Sequence, residues 1–185
     1  MVGRREEVRR EDRLRSAACT LLCALALVAA GRAGADFTGR VVTVHDGDTI
    51  SVLVGRTPVR VRLAGIDAPE RMQPYGSASR RALADRVAGR DVQVVERGRD
   101  VFGRVLGRVF AQGADVNAEQ VRSGYAWVYR FERDATLLAL EAEARAARRG
   151  LWADARAVPP WQWRDRQPKV LPAERAPARM PETAT

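Results

Sequence analysis

Apolar and polar residues alternate in five short stretches of the chain, and this alternation predicts the fold. The stretches lie at about 37–45, 48–54, 57–64, 92–95 and 105–110. A period of two is typical of strands that turn one face toward a core. Two turn-forming sequences, Asp46-Gly47-Asp48 and Gly55-Arg56, separate the first three stretches. We therefore predict five strands, the first three of them joined by hairpins.

Apolar residues at helical spacing occupy three other stretches, at about 75–88, 115–122 and 134–149. Gly89 and Gly124 follow the first two, where glycine commonly ends a helix. The segment 159–163 is expected to dock on the domain as an extended segment, because its tryptophans are costly to leave in water. Strands with interspersed helices predict an α+β fold, a five-stranded OB-type β-barrel with about three packed α-helices.

The first 35 residues have the features of a secretory signal peptide. Residues 1–15 are rich in arginine, residues 16–30 are nearly all apolar, and Ala33-Gly34-Ala35 provides a small-x-small cleavage sequence. We predict cleavage after Ala35, a mature chain that begins at Asp36, and a secreted or periplasmic location without stable membrane association. An uncleaved membrane anchor is the alternative, although this apolar run is shorter than the roughly 20 residues that span a bilayer.

Both cysteines of the chain, Cys19 and Cys23, lie within the same N-terminal segment. The mature chain would therefore have none, and its fold would not depend on a disulfide. A lipoprotein anchored through Cys23 is disfavoured, because Leu22 precedes this cysteine where a small residue is needed.

The mature chain remains basic. Removal of residues 1–35 takes away seven arginines and four acidic residues, which lowers the formal net charge from +9 to +6. Positive charge favours a polyanionic partner such as nucleic acid. The preference for arginine, with Lys169 as the only lysine, is equally explained by a codon bias. We assign residues 36–166 to one domain and predict that the Pro-, Ala- and Arg-rich residues 167–185 form a disordered tail.

Three clusters of charged residues lie in turns or at strand ends. They are His45-Asp46-Gly47-Asp48-Thr49, Arg62-Leu63-Ala64-Gly65-Ile66-Asp67-Ala68-Pro69-Glu70 and Asp100-Val101-Phe102-Gly103-Arg104. Residues 66–70 are predicted to form a loop, because Pro69 fixes its own φ and keeps Ala68 out of the helical region. Alone, each cluster has an ordinary interpretation: a hairpin turn, a solvated loop residue after Pro69, and an exposed arginine. Alternation along the third strand places Arg60 and Arg62 on the face opposite Val61, so Arg62 reaches a surface site without burying its charge in the barrel.

Together the clusters resemble the staphylococcal nuclease family, also called thermonucleases. The runs Val-x-Asp-Gly-Asp-Thr, Val-Arg-Leu-x-Gly-Ile-Asp-x-Pro-Glu, Asp-x-x-Gly-Arg and Val-x-x-Gly-x-Ala-Trp-Val match that family's pattern in order and spacing. The resemblance covers about residues 37–165 and implies a five-stranded OB-type barrel. It also implies a calcium-dependent nuclease that hydrolyses the phosphodiester bonds of DNA or RNA, and we expect a monomer.

The resemblance assigns Asp48 and Asp67 as carboxylate ligands of Ca²⁺ and the backbone carbonyl of Ala68 as a further ligand. Calcium prefers six to eight oxygen ligands at about 2.3–2.6 Å, so these three leave positions for water and a phosphate oxygen. Asp46 is interpreted as supporting a ligand rather than binding the metal directly.

By the same resemblance, Glu70 is the general base that activates water, and Arg62 and Arg104 bind the phosphate. Arginine suits this role because its planar fork matches phosphate oxygens, where negative charge accumulates during reaction. The alternative is a non-catalytic nucleic-acid-binding module on the same barrel, and a third possibility is an envelope-associated interaction protein. The presence of all these site residues argues against mere binding, which needs no carboxylate beside a phosphate.

The chain departs from the family pattern at three places. Phe102 stands where a tyrosine hydroxyl would reach the phosphate, and Met72-Gln73-Pro74 replaces a longer lysine-rich loop. The tyrosine pair that flanks the bound base has no unambiguous counterpart among the residues from Tyr125 to Arg130. These changes affect substrate affinity and leave the predicted metal, base and arginine residues in place. His45 is assigned no catalytic role, and Trp127 is interpreted as core packing.

Overall fold

Five strands close into a barrel in the computed structural model, which describes residues 36–166. In chain order the strands of the described residues are β1 (Phe37–Val44), β2 (Thr49–Val54), β3 (Thr57–Leu63), β4 (Ile66–Asp67), β5 (Asp91–Arg99), β6 (Val105–Ala111), β7 (Ala114–Asp115) and β8 (Trp127–Val128). The barrel strands are β1, β2, β3, β5 and β6, and the other three have two residues each. Antiparallel pairing follows the order β3-β2-β1-β5-β6, and a parallel pairing of β3 with β6 completes the circle. The predicted OB-type barrel is confirmed, with all five predicted strands near their expected positions.

Within the described residues, four helices surround the barrel. They are α1 (Gly76–Val87), α2 (Val116–Arg122), α3 (Ala135–Ala146) and α4 (Pro160–Arg166), and a 3₁₀ turn (Gly150–Ala153) precedes α4. The first three correspond to the predicted helices. Aspartate side chains begin two of them, since Asp115 accepts a hydrogen bond from the Ala118 N–H and Asp134 from the Leu137 N–H.

The structure corrects two predictions. The segment 159–163 was expected to be extended, but α4 begins at Pro160, a residue whose fixed φ suits the first turn of a helix. The loop predicted at 66–70 begins instead as β4, which pairs with β8 so that Asp67 lies opposite Trp127. The predicted signal peptide and the predicted tail lie outside the described residues.

The core fills the barrel and the space beneath the helices. Val61 and Leu63 of β3 are fully buried, whereas Arg60 of the same strand is exposed, as the alternation predicted. Trp127 is also buried and packs edge-to-face on Trp152 with ring centroids 5.1 Å apart, which confirms its role in packing. None of the described helices combines the length and apolarity of a membrane-spanning segment.

Two buried amides fix the loops that carry the charged clusters. Gln120 of α2 donates from Nε2 to the Gly47 carbonyl at 2.8 Å, and Asn117 donates from Nδ2 to the Ala64 carbonyl at 2.8 Å. A Cβ atom on Gly47 would collide with the side chains of Ser79 and Ala68, so this turn requires glycine. The Asp46–Asp48 turn is thus held directly against the segment that follows β3.

Candidate active site

Asp48 is a nearly buried carboxylate at the start of β2. Its backbone N–H donates to Asp46 Oδ1 at 3.0 Å, so Asp46 shapes the turn that carries Asp48. The Asp48 carboxylate accepts from the Thr49 hydroxyl at 2.9 Å and from the Ala68 N–H at 2.8 Å. Burial raises the pKa of Asp48 to about 7, against the opposing effect of the Arg62 guanidinium.

Arg62 joins the two predicted metal ligands. Its Nη1 donates to Asp48 Oδ1 at 2.7 Å, and its Nη2 donates to Asp67 Oδ1 at 2.8 Å. The register of the β2–β3 hairpin, which pairs Thr49 with Arg62, brings the guanidinium beside Asp48. A single arginine therefore neutralises part of the charge of two carboxylates that are 4% and 1% exposed.

Arg164 is a second cation at the same carboxylates, and the sequence interpretation missed it. From α4 its Nη2 donates to Asp67 Oδ2 at 2.8 Å and its Nη1 to Asp67 Oδ1 at 3.3 Å. The same Nη1 also donates to Glu70 Oε1 at 2.7 Å. The only sequence signal for this contact is that Arg164 follows the tryptophans of a segment expected to dock on the domain.

Gln73 connects the Glu70 loop to the segment that leads into α4. Its Oε1 accepts from the Glu70 N–H at 3.1 Å, while its Nε2 donates to the Val158 carbonyl at 2.5 Å. Gln73 lies in the shortened loop, so this departure from the family pattern ties the Glu70 loop to the C-terminal segment. The Glu70 side chain remains 43% exposed at the rim of the site.

Arg104 approaches from the turn between β5 and β6. Its Nε donates to Asp100 Oδ2 at 2.6 Å, and the Asp100 Oδ1 accepts the backbone N–H groups of Phe102 and Arg104 at 2.9 and 3.0 Å. Its guanidinium carbon lies 5.5 Å from the centre of the Phe102 ring. Asp100 therefore positions Arg104 in the way that Asp48 and Asp67 position Arg62.

One cleft of about 510 Å³ brings the predicted residues together. The predicted site residues that line it are Asp48, Arg62, Ala68, Glu70 and Arg104. Asp67 lies beneath this lining and is reached through the two arginines that bind it. His45 bonds to Ser51 through Nε2 at 2.8 Å and does not line the cleft.

The donor set suits a hard divalent cation. Asp48 and Ala68 line the open cleft, and Asp67 lies beneath the lining next to Ala68 in the chain. Within residues 36–166, no cluster of three His, Cys, Asp or Glu side chains is arranged to hold a metal. Two carboxylates and a carbonyl therefore need water or phosphate oxygens to complete a shell, which fits a catalytic site better than a closed structural one.

Comparison with known proteins gives a consistent result. Residues 60–154 match the family described as staphylococcal nuclease homologue. An uncharacterized endonuclease of Escherichia coli is 51% identical over 135 residues, which cover 72% of this chain and 88% of that protein. A micrococcal nuclease of Shigella flexneri is 46% identical over 153 residues, covering 76% of this chain and 88% of that protein. Protein ParB of Escherichia coli is 49% identical over 150 residues, with coverages of 75% and 85%.

Arg62→Gln tests the dependence of the buried carboxylates on their arginine. The substitution leaves Asp48 without its cation and Asp67 with one fewer, and breaking a buried ion pair commonly costs about 3–5 kcal/mol. We expect a loss of about 3 kcal/mol in the free energy of unfolding, measured by urea denaturation in chelator. Arg60→Gln, an exposed change on the same strand, should cost less than about 0.5 kcal/mol. Equal stability of the two variants would show that the pairing contributes nothing.

Proposed function

We propose a calcium-dependent mechanism for this chain, which belongs to the staphylococcal nuclease family and is a phosphodiester-hydrolysing enzyme. The substrate is DNA, RNA or both. The observation that carries the proposal is an open cleft lined by one buried carboxylate, one exposed carboxylate and two arginines held by aspartates, with a second buried carboxylate directly beneath its lining. Buried carboxylates are costly unless they are paired, so this arrangement is better suited to holding a cation at a phosphate than to binding alone.

Asp48, Asp67 and the Ala68 carbonyl hold the calcium ion in this proposal. When bound, calcium supplies positive charge for a non-bridging phosphate oxygen and for the attacking water. Of the chain's own groups, Glu70 suits the role of base because its carboxylate is exposed at the rim of the cleft. It accepts a proton from the water that attacks phosphorus. The bond from phosphorus to the 5′-oxygen breaks, and this oxygen takes a proton from solvent water and leaves as a 5′-hydroxyl, so that the other product carries a 3′-phosphate.

Arg104 and Arg62 stabilise the negative charge that develops on the phosphate oxygens. Arg104 is held by Asp100, and its side chain is 24% exposed at the cleft wall, so its remaining donors face the substrate space. Arg62 uses three of its five N–H donors on Asp48, Asp67 and the Ile66 carbonyl. Two donors remain for a phosphate, which is consistent with a role in both positioning and binding.

Export of the enzyme is a separate part of the proposal. It rests on the charged, apolar and small-residue pattern of residues 1–35, and it implies a mature chain that begins at Asp36. N-terminal sequencing of protein recovered from the culture medium or periplasm tests it. Recovery of the full-length chain in membranes would refute it.

The metal dependence tests the proposed function directly. Purified protein is incubated with single-stranded DNA, double-stranded DNA or RNA in calcium, magnesium or chelator. We expect cleavage in calcium, none in chelator and weak cleavage in magnesium, because magnesium demands near-octahedral geometry at about 2.0–2.1 Å that a site with few protein ligands does not enforce. Full activity in chelator would refute the metal site. Binding without cleavage in every ion would favour the non-catalytic module.

Glu70→Gln tests the assignment of the base. The change keeps the size of the side chain but removes the proton acceptor, so turnover should fall by roughly 10²–10⁴. Calcium affinity, measured by calorimetry, should change little because Asp48 and Asp67 are retained. Glu143→Gln, in an exposed pair on α3, is the control and should leave turnover unaffected. Unchanged turnover in Glu70→Gln would exclude Glu70 as the base, whereas joint loss of calcium binding would make it a ligand.

A further inference from the structure

A second depression adjoins the catalytic cleft, and we call it the flanking groove. It has a volume of about 710 Å³ and is lined by Arg60, Arg99, Arg104 and Phe102, among others. Phe102 and Arg104 also line the cleft, so the two depressions lie side by side. Within the described part of the chain, no aspartate or glutamate lines the groove. The groove is therefore a cationic extension of a cleft whose floor is acidic.

Two of the three arginines that line the groove, Arg60 and Arg99, lie on barrel strands. Arg60 lies on the outward face of β3, two residues before Arg62 and therefore roughly 6.6 Å from it along the strand. Arg99 ends β5, where its Nη1 donates to the Gly103 carbonyl at 3.1 Å. Its contact with Glu96 is long, at 3.7 Å, and its side chain is 59% exposed. Both guanidinium groups keep donors for a further partner.

Phe102 adds an aromatic surface where the groove meets the cleft. The residue is 80% exposed, and an exposed aromatic ring is a platform on which a nucleobase stacks in single-strand binding. The three arginines supply the charge that follows a phosphate backbone. A duplex keeps its bases stacked inside, so this combination suits an unpaired strand.

We propose that the flanking groove binds the nucleotides next to the scissile bond in a single strand of DNA or RNA. Arg60 and Arg99 contact neighbouring phosphates, and Phe102 stacks on a base. This inference rests on the proposed nuclease function, which supplies the scissile phosphate at the other end of Arg104. It predicts that oligonucleotides are bound better than the shortest cleavable substrate.

The test compares a dinucleotide with a single-stranded decanucleotide. The double variant Arg60→Gln/Arg99→Gln should lose most of the advantage of the decanucleotide, measured as the ratio of the two KM values. Anisotropy of the labelled decanucleotide in chelator should show affinity about tenfold weaker. The slope of the logarithm of the binding constant against the logarithm of the salt concentration should also be shallower by roughly 1.4, because each of the two lost phosphate contacts contributes about 0.7. The control Arg56→Gln/Arg90→Gln removes the same charge from exposed positions outside the groove.

Each outcome decides between the inferences. An unchanged KM ratio and unchanged binding in the groove variant would overturn the proposal that the groove binds a single strand. An equal effect of the control variant would also overturn it, because binding would then depend only on the net charge of the protein. Failure of the unsubstituted protein to cleave either substrate would overturn the proposed function instead. The binding measurement needs no cleavage, so it still decides whether the groove holds a single strand.

Arg164 carries a second and independent inference, about the affinity of the cation site. It contacts both oxygens of Asp67 and also Glu70, and it lies beside Arg62 at Asp67 Oδ1. A divalent cation bound by Asp67 would therefore meet two guanidinium groups at short range. The positive charges of the cation and the guanidinium groups would repel one another strongly, because the site is partly buried and poorly screened by water.

The two arginines differ in how readily they withdraw. The Arg62 side chain is 18% exposed and is held on a barrel strand, whereas that of Arg164 is 44% exposed on the short helix α4. The bond from Gln73 to the Val158 carbonyl anchors the segment before α4, so the side chain of Arg164 is free to leave without unfolding that segment. Arg164 is thus the cation that a metal ion displaces.

We infer that Arg164 lowers the affinity of the site for calcium by occupying Asp67 and Glu70 in the absence of metal. Calorimetric titration with calcium tests this on the full chain with Arg164→Gln, Arg164→Lys and the control Arg166→Gln. Arg164→Gln should bind calcium about tenfold more tightly, Arg164→Lys should be intermediate, and Arg166→Gln should match the unsubstituted protein. In chelator, Arg164→Gln should have a lower Tm than the unsubstituted protein, and calcium should raise it by more.

Unchanged calcium binding by Arg164→Gln would overturn the inference. Weaker binding would also overturn it and would make Arg164 a residue that holds Asp67 in place for the metal. Absence of calcium binding in all four proteins would refute the metal site, and the inference with it. The denaturation measured in chelator shows whether each variant is folded, so a failure to bind is not confused with a failure to fold.

Discussion

The neutralisation of two buried carboxylates is the interaction on which the rest of the site depends. Asp48 and Asp67 lie almost out of contact with solvent, and an isolated carboxylate in such a place is strongly disfavoured. Arg62 bridges them, and Arg164 adds a second cation to Asp67. The same burial that makes these groups costly also keeps their oxygens close together at the base of an open cleft. A protein that needed only a stable barrel gains little from this arrangement, because apolar residues fill such positions at lower cost.

Strand register makes the neutralisation possible. The pairing of Thr49 with Arg62 in the β2–β3 hairpin sets the guanidinium beside Asp48, and the pairing of Asp67 with Trp127 fixes the second carboxylate. A slip of one residue in β3 would turn Arg62 into the barrel and Val61 out of it. The turn that carries Asp48 is in turn held by Gln120. The polar site is therefore a consequence of the same alternation that builds the core.

Features of the fold and the site were predictable from the sequence where they depend on neighbouring residues, and not where they depend on residues far apart in the chain. Alternation and turn residues located the five barrel strands, because the buried and exposed faces of a strand are visible in its own sequence as alternating apolar and polar residues. The resemblance placed Asp48, Glu70 and Arg104 in one site, and the structure brings them to one cleft. Arg164 was missed because it is 97 residues from Asp67 and its contact depends on how α4 docks, which no local pattern records. The two-residue strands β4 and β8 were missed because such short pairings are defined only by their tertiary partners.

The structure also changes the interpretation of the arginines. They were predicted as phosphate ligands, yet each predicted one is bound to aspartate: Arg62 to Asp48 and Asp67, and Arg104 to Asp100. A guanidinium already held in a fixed fork loses less conformational entropy when it binds phosphate than a free side chain does. If the arginines bind phosphate as proposed, the aspartates that satisfy them in the absence of substrate also orient them for it. In the proposed function, a cation at Asp48 and Asp67 would take over part of the charge that Arg62 neutralises. Metal binding and phosphate binding would then draw on the same carboxylates and are expected to strengthen one another.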